Sequence, residues 1–420
     1  MSGGLGTACF GMTKALAGLG HRILLVLPQS EETPGAPFLD LVPAFSPPFS
    51  DTELQEGEVE LPPVLTIRPI PALLNPYLTP ERYQDLCSPK GGRLRDPSAV
   101  YGLDLIAEVF RYGRAAGTVV RSASFDIIHA HDWMTVPAAL IARRISGRPL
   151  VLHVHSLEYD RSGDNVNPEI RAIEQEGLDR ADRIIAVSHR TKRMIEERYG
   201  IDPKKIIVVH NAVDRVEAGR IYRAERRGIP RKDRMVLFLG RITFQKGPDY
   251  FVEAAARVLQ VLPDVTFVMA GAGNMMGQMI ERVGELGIGN RFHFTGFLQG
   301  EEIERIFSLS DLYVMPSVSE PFGISPLEAM LYDVPVIISR QSGVAELLKH
   351  ALKVDFWDIR EIAGKIIALL KHPALAGEMT GKAREELRKI RWETAADRIT
   401  EIYRGVVASA ATSGSPSSGK

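Results

Sequence analysis

Two doubly wound α/β domains, each a parallel sheet with helices on both faces, are the architecture this sequence predicts. Three observations point to it. From Tyr101 onward, strand-sized apolar runs alternate with helical stretches. After a charged, strand-poor gap the same rhythm starts again, and the strands are apolar at consecutive rather than alternate positions. Strand–helix alternation builds parallel sheets through helical crossovers. A strand that is apolar on both faces is covered on both faces, the habit of parallel sheets.

The chain opens on "MSGGLGTACFGMTKALAGLGHRILLVLP". Residues 3–6, GGLG, read as a glycine loop, and residues 7–19 as a helix with Leu16 and Leu19 on its apolar side. Gly20 stops it, and "ILLVLP" follows as a strand. Between residues 28 and 97 the character changes, since 14 of the 27 prolines fall there and no helical period is sustained. That stretch is expected to be an irregular insertion, with short edge strands around "EVEL" and "VLTIRPI" and packing from its aliphatics, Tyr77 and Tyr83. From Tyr101 come a helix, the strand "FDIIHAH", the helix "TVPAALIARRIS" and the strand "PLVLHVH". The helix "NPEIRAIEQEGLDRA", the strand "RIIAVS", the helix "HRTKRMIEERYG" and the strand "KIIVVHN" complete a first domain over residues 1–214.

The charged stretch "AVDRVEAGRIYRAERRGIPRKDR" reads as the connection between domains. A second domain over residues 215–391 repeats the pattern through the strands "MVLFLG", "VTFVMAG", "RFHFTG", "LYVMPS" and "PVIIS". A helix over residues 392–408 is expected to cross back toward the first domain. The small, polar tail 409–420 is expected to be disordered.

At 420 residues the chain has room for two domains, and 45% apolar with 25% charged residues is ordinary for a chain that buries a core. A formal net charge of −1 gives no global field to attract nucleic acid or an anionic membrane. Two cysteines, Cys9 and Cys87, make no disulfide framework and point to a reducing, cytoplasmic setting. No apolar run reaches the length of a membrane span, and the N-terminus lacks the zones of a signal peptide. Oligomeric state leaves no mark in the sequence.

In open parallel sheets ligands collect beyond the carboxyl ends of the strands, and the chemically informative residues cluster there. In "GGLGT", glycines without Cβ let backbone N–H groups approach a phosphate, and a following helix N-terminus adds partial positive charge. An ordinary tight turn would look the same, and the dinucleotide fingerprint fails at Cys9. In "FLGRITFQKGPDYF", Arg241 and Lys246 leave a strand end and precede a helix that starts at Pro248. A guanidinium fork and an ammonium suit two phosphates, although an arbitrary Arg/Lys pair is more often solvated surface.

"SVSEPFGISPLEAM" is the most specific stretch. Ser325 to Glu328 reads as a capping box with Pro at the first turn, so that amides around Phe322, Gly323 and Ile324 point at an anion. Glu328 then either caps its own helix or accepts two adjacent sugar hydroxyls; the second reading also leaves a use for Glu320. "IIHAHDWMT" and "LHVHSLEY" put His129 with His131, and His153 with His155, on shared strand faces. Four histidines and Asp132 raise a metal site, but no third cluster completes a coordination set, so no metal is expected. His129 and His153 read better as hydrogen-bonded core histidines. Asp132 and His155, at strand ends facing the cleft, are the site candidates.

These motifs, with "MAGAGN" and "VPVIISRQSGVAE", resemble the retaining, nucleotide-sugar-dependent glycosyltransferases of the GT-B fold, two Rossmann-like domains facing a cleft: the glycogen/starch synthase, sucrose synthase and mannosyltransferase group. The likeness spans nearly the whole chain, and "HAHDWMT" is nearest the glycogen synthase branch. It implies that Gly4 and Gly6 line the diphosphate side and that Arg241 and Lys246 neutralise the departing nucleoside diphosphate. It also implies that Glu328 holds the ribose, and that Glu320 with the amides of Phe322, Gly323 and Ile324 holds the donor sugar. By the same resemblance His155 lies near the transferred sugar, Asp132 on the acceptor side, and Gly296 and Phe297 at the base.

The reaction implied is transfer of a hexose, glucose first, from ADP- or UDP-glucose to an α-glucan hydroxyl, without a metal or other cofactor. Transfer to a sugar phosphate, a lipid-linked sugar or a surface polysaccharide is the alternative, as is a nucleotide-sugar-binding protein without turnover. Two departures stand out. Met1-Ser2 occupies the place of the Lys-Thr common in glycogen synthases, and the family's first strand would precede the glycine loop. Losing a strand's buried aliphatics costs about 1.5–3 kcal/mol each, comparable in sum to a domain's net stability. The expectation is therefore that the natural frame begins upstream of Met1, or that another segment fills the gap.

Overall fold

The computed structural model describes residues 3–28, 65–70, 105–214 and 233–413. Most of the proline-rich insertion, including "EVEL", Tyr77 and Tyr83, lies outside the described residues, as do Tyr101, most of the inter-domain connection and residues 414–420; residues 409–413, expected to be disordered, instead end a helix.

The front lobe contains α1 (Gly3–Gly18), β1 (Ile23–Pro28), β2 (Leu65–Ile70), α2 (Leu105–Ser122), β3 (Ile128–His131), α3 (Asp132–Ser146), β4 (Leu150–Val154), α4 (Glu158–Ser162), α5 (Pro168–Arg180), β5 (Arg183–Ala186), α6 (His189–Tyr199) and β6 (Ile206–Val208). A parallel sheet runs in the order β3-β4-β5-β6, while β1 pairs in parallel with β2 in a separate two-stranded sheet. β4 is buried at all five positions, as its unbroken apolar run requires, with His153 the one polar exception. Tyr112 of α2 donates a 2.9 Å hydrogen bond to the carbonyl of Val26, tying β1 to the helix that packs on α3.

The rear lobe contains β7 (Arg234–Leu239), α7 (Pro248–Leu259), β8 (Val265–Ala270), α8 (Met276–Glu285), β9 (Phe292–Gly296), α9 (Glu301–Leu309), β10 (Leu312–Met315), α10 (Ser325–Leu331), β11 (Val336–Ser339), β12 (Leu352–Val354), α11 (Ile359–Lys371) and α12 (Pro373–Leu387). Its six parallel strands run in the order β12-β11-β10-β7-β8-β9. From β7 the chain winds outward to β8 and β9, then returns to lay β10 on the other side of β7. The sheet thus reverses between β7 and β10, where a doubly wound sheet opens its ligand crevice. The last helix, α13 (Trp392–Ser413), packs against α1 in the front lobe. Thr400 bonds His21 at 2.8 Å, and Tyr403 bonds His129.

At the start of the chain the expected glycine loop is absent: residues 3–6 form the opening turn of α1. Three helical glycines, Gly3, Gly4 and Gly6, cost about 1 kcal/mol each relative to alanine. Docking of Ala8, Met12 and Leu16 in one core cluster with Trp392, Ala396 and Ile399 outweighs that cost. Leu19, expected on the apolar side, lies past the end of α1 and is exposed.

Candidate active site

The rear-lobe residues are set by the ends of β7 and β10. After β7 the chain turns at Gly240 and Arg241, and a single 3-10 turn at Phe244–Lys246 precedes α7. Gly247 ends that turn with φ 62°, and a Cβ there would lie 2.3 Å from the carbonyl oxygen of Pro316, so the turn and the loop after β10 touch backbone to backbone. Lys246 reaches across this contact to the carboxylate of Glu320 at 2.5 Å, which also accepts from Ser317 at 3.2 Å. Arg241 donates to the side chain of buried Gln245 at 2.7 Å, and the carbonyl of Gln245 accepts from the amide of Val318 at 3.0 Å. The cation-bearing turn and the acidic loop are one hydrogen-bonded unit.

α10 begins one residue earlier than a capping box at Ser325 requires. Ile324 is the N-cap, Ser325 is already helical, and its hydroxyl bonds Tyr313 at 2.7 Å instead of capping an amide. Buried Tyr313 takes up the Ser325 hydroxyl, and Pro326 lies in the first turn, where its missing N–H costs nothing. Glu328 is thereby released from capping: its carboxylate makes no hydrogen bond or ion pair among the described residues, and burial lifts its pKa to about 7. The amides of Phe322, Gly323 and Ile324 likewise donate to no group among the described residues. Gly323 has φ 95°, and a Cβ there would press on Glu320 and Met315 at 3.1 Å. Gly296, with φ 74°, ends β9 beside Gly271, and Phe297 stands half exposed beyond it.

In the front lobe Asp132 starts α3 in the left-handed region, φ 56°, which is costly for a residue with a Cβ. Its carboxylate repays the strain by accepting from the backbone amides of His155 at 2.6 Å and Ser156 at 3.2 Å, fixing the end of β4. Burial raises Asp132 to about 7. His131 Nδ1 and His155 Nε2 lie 2.9 Å apart, and burial holds both imidazoles neutral, at about 3. His129 and His153 bond each other at 3.3 Å, and His129 also bonds Tyr403. Gly4 and Gly6 lie in the first turns of α1, where helical amides have no intrahelical acceptor.

The lobes meet around the acidic loop. Ser319 donates to buried Asp160 of α4 at 2.6 Å, and Arg190 of α6 donates to Ser319 at 2.8 Å. Ser188 donates to the carbonyl of Pro321 at 2.6 Å. Glu346 accepts from the first two amides of α6, His189 at 2.9 Å and Arg190 at 2.8 Å, and bonds His210 at 3.0 Å. Gly343 passes so close that a Cβ would be 2.1 Å from Pro321 O. Gln245, Asp160, Arg190, Ser319 and Glu346 were not legible as site residues. Their partners lie more than 100 residues away, except for Gln245, whose place within "TFQKG" was the one available hint.

Residues 77–217 match the family described as Glycosyltransferase Family 4, and residues 223–386 match Glycosyl transferases group 1. An uncharacterized glycosyltransferase of Methanocaldococcus jannaschii is 28% identical over 295 residues, 67% of this chain and 75% of the relative. The D-inositol 3-phosphate glycosyltransferase of Mycobacterium tuberculosis is 30% identical over 305 residues, 67% of this chain and 62% of that protein. Among solved structures, the sucrose-phosphate synthase of Thermosynechococcus elongatus superposes with a TM-score of 0.71 at 20% identity, covering 97% of this chain and 94% of the other. The relatives do not single out the glycogen synthase branch. Among the described residues no helix is long and apolar enough to cross a membrane. Front lobe, rear lobe and the crevice between β7 and β10 make up a GT-B fold, and the two lobes match, in turn, the models of Glycosyltransferase Family 4 and Glycosyl transferases group 1.

Proposed function

We propose that this chain transfers glucose from UDP-glucose to a hydroxyl of a small phosphorylated acceptor. The observation that carries the donor half is the joining of Lys246 to Glu320 and of Arg241 to Gln245 at the carboxyl ends of β7 and β10, with Glu328 in the helix that follows. Breaking the bond to the anomeric carbon pushes negative charge onto the diphosphate, and cations held in advance lower that barrier. In this reading Arg241 and Lys246 take the diphosphate, and the amides of Phe322, Gly323 and Ile324 with Glu320 hold the hexose. Glu328 accepts from the ribose hydroxyls, Gly296 and Phe297 border the base, and Gly4 and Gly6 approach the diphosphate from the front lobe. His155 faces the transferred sugar and Asp132, through its grip on the His155 amide, keeps it there. A good leaving group needs no separate general acid, so the acceptor hydroxyl passes its proton toward the leaving phosphate oxygen.

The uridine base is favoured by the solved Anabaena protein HepE in complex with UDP and with UDP-glucose, of the same fold at 22% identity. A phosphorylated acceptor is favoured by the names of the inositol 3-phosphate relatives and of sucrose-phosphate synthase. An α-glucan acceptor is the second reading, favoured by "HAHDWMT".

The deciding experiment offers labelled UDP-glucose, ADP-glucose and GDP-mannose with inositol phosphates, hexose phosphates and glycogen. Label passing from UDP-glucose to a phosphorylated acceptor is expected. Label in glycogen moves the conclusion to the second reading, and binding without transfer or hydrolysis overturns both.

A further inference from the structure

Four imidazoles share one face of the front sheet: His129 and His131 on β3, His153 on β4 and His155 just past its end, with His131 paired to His153 in the strand register. The rings stack, centroids 4.5 Å apart between His129 and His131 and 4.3 Å between His153 and His155. The bonds already described use one nitrogen of His155 and one of His153. His155 Nδ1 and His153 Nε2 remain, both buried and without a hydrogen-bond partner among the described residues. A buried polar atom left unpaired is unfavourable, and the one on His155 marks a place for a ligand that the described residues do not supply. The free thiol of Cys9 on α1 faces the same column. One ligand atom from each of Cys9, His131 and His155 lies within 4.8 Å of the others.

We propose that Cys9, His131 and His155 bind a divalent ion that prefers sulfur and imidazole, zinc first, and that the bound ion withdraws His155 from the sugar-transfer site. The second half rests on the function proposed above; the first does not. The donor set selects the ion. One sulfur and two imidazoles suit zinc, whereas magnesium and calcium require oxygen ligands. Zinc bonds of about 2.0–2.3 Å bring ligand atoms closer together than 4.8 Å, so the site contracts on binding, with α1 supplying the movement. As the Zn–S bond forms, the Cys9 proton passes to solvent. Three protein ligands leave a fourth position open to water.

Cobalt reports the site without any need for activity. Titrating the chelator-treated full chain with Co²⁺ alone is expected to give one equivalent of tetrahedral cobalt with a thiolate charge-transfer band. Cys9→Ser is expected to abolish that band, His131→Gln to weaken binding by at least about tenfold, and Cys87→Ser to leave both unchanged. Absence of the band in the parent, or its persistence in Cys9→Ser, overturns the site. In the transfer assay, zinc should inhibit the parent reversibly by chelator and spare Cys9→Ser. Stoichiometric binding without inhibition overturns the second half alone. If no transfer is ever detected, the cobalt titration still decides the site, so the two readings fail separately.

Discussion

Lys246 and Glu320 form the ion pair on which the donor reading turns, one partner half-buried and the other buried. Lys246→Ala removes the cation and strands a buried carboxylate, so the loss is expected to fall on kcat, about 10²–10³-fold as for a missing oxyanion donor. Steady-state kinetics with the donor saturating checks it; an unchanged kcat removes Lys246 from the chemistry. Glu328 lends itself to a thermodynamic test. Its pKa in the folded chain, about 7, exceeds the ordinary 4.5, so the folded state holds its proton longer than the unfolded one. The stabilising contribution is therefore full below about pH 4.5 and is lost as pH rises through 7, by at most about 3 kcal/mol, less where solvent screens its edge. Urea unfolding at pH 5 and pH 8 should show Glu328→Gln gaining on the parent across that window. Equal differences at both pH values would mean the carboxyl is not desolvated. Arg241, Lys246, Glu320 and Glu328 could be picked out from the sequence because strand-end and helix-start signals bracket each of them. Glu328's freedom from capping could not, because it depends on Tyr313 claiming the Ser325 hydroxyl from a strand away.

Elements were legible in proportion to their apolar periodicity. The strands β3 to β11 follow from apolar runs, of which β4, buried on both sheet faces, is the extreme case, whereas the three-residue β12 was too short to stand out. The opening glycines read as a loop because local propensity disfavours them in a helix, yet they are helical because α1 is held from outside by α13. That tertiary grip leaves no trace in residues 3–6. It does leave one at Gly11, where an added Cβ would sit 2.2 Å from the Trp392 indole nitrogen. The two helices approach so closely only because Gly11 has no side chain. Gly11→Ala gains helix propensity, about 1 kcal/mol, and loses more to the clash, about 1–3 kcal/mol for an overpacked contact. A net fall in Tm is expected, with Trp392 fluorescence shifted as its ring is displaced. A raised Tm would show that α1 and α13 are not packed at this distance.

The lobes of the whole molecule are joined by polar contacts concentrated on one short loop, residues 317–322, which carries Glu320 between its anchors. Asp160 and Arg190 hold Ser319 on one side of that glutamate, and Ser188 holds Pro321 on the other. The front lobe therefore holds the loop that bears a rear-lobe carboxylate, and under the proposed function the same contacts would join closure of the cleft to assembly of the donor site. Glu346 makes a further contact between the lobes, outside that loop. It stands at the positive end of α6 and replaces the missing acceptors of two amides while also holding His210. Charged hydrogen bonds of this kind contribute about 1.5–3 kcal/mol, equivalent to roughly 10–100-fold in the closure equilibrium. Glu346→Ala touches none of the groups assigned to the donor, so it should leave each lobe folded while populating the open form. The expected outcome is a larger radius of gyration by small-angle scattering and a kcat/KM reduced about tenfold or more. Donor saturation should restore the compact scattering, since the donor draws the lobes together. A variant that scatters and turns over like the parent would show that closure is held elsewhere, and that Glu320 is positioned by the rear lobe alone.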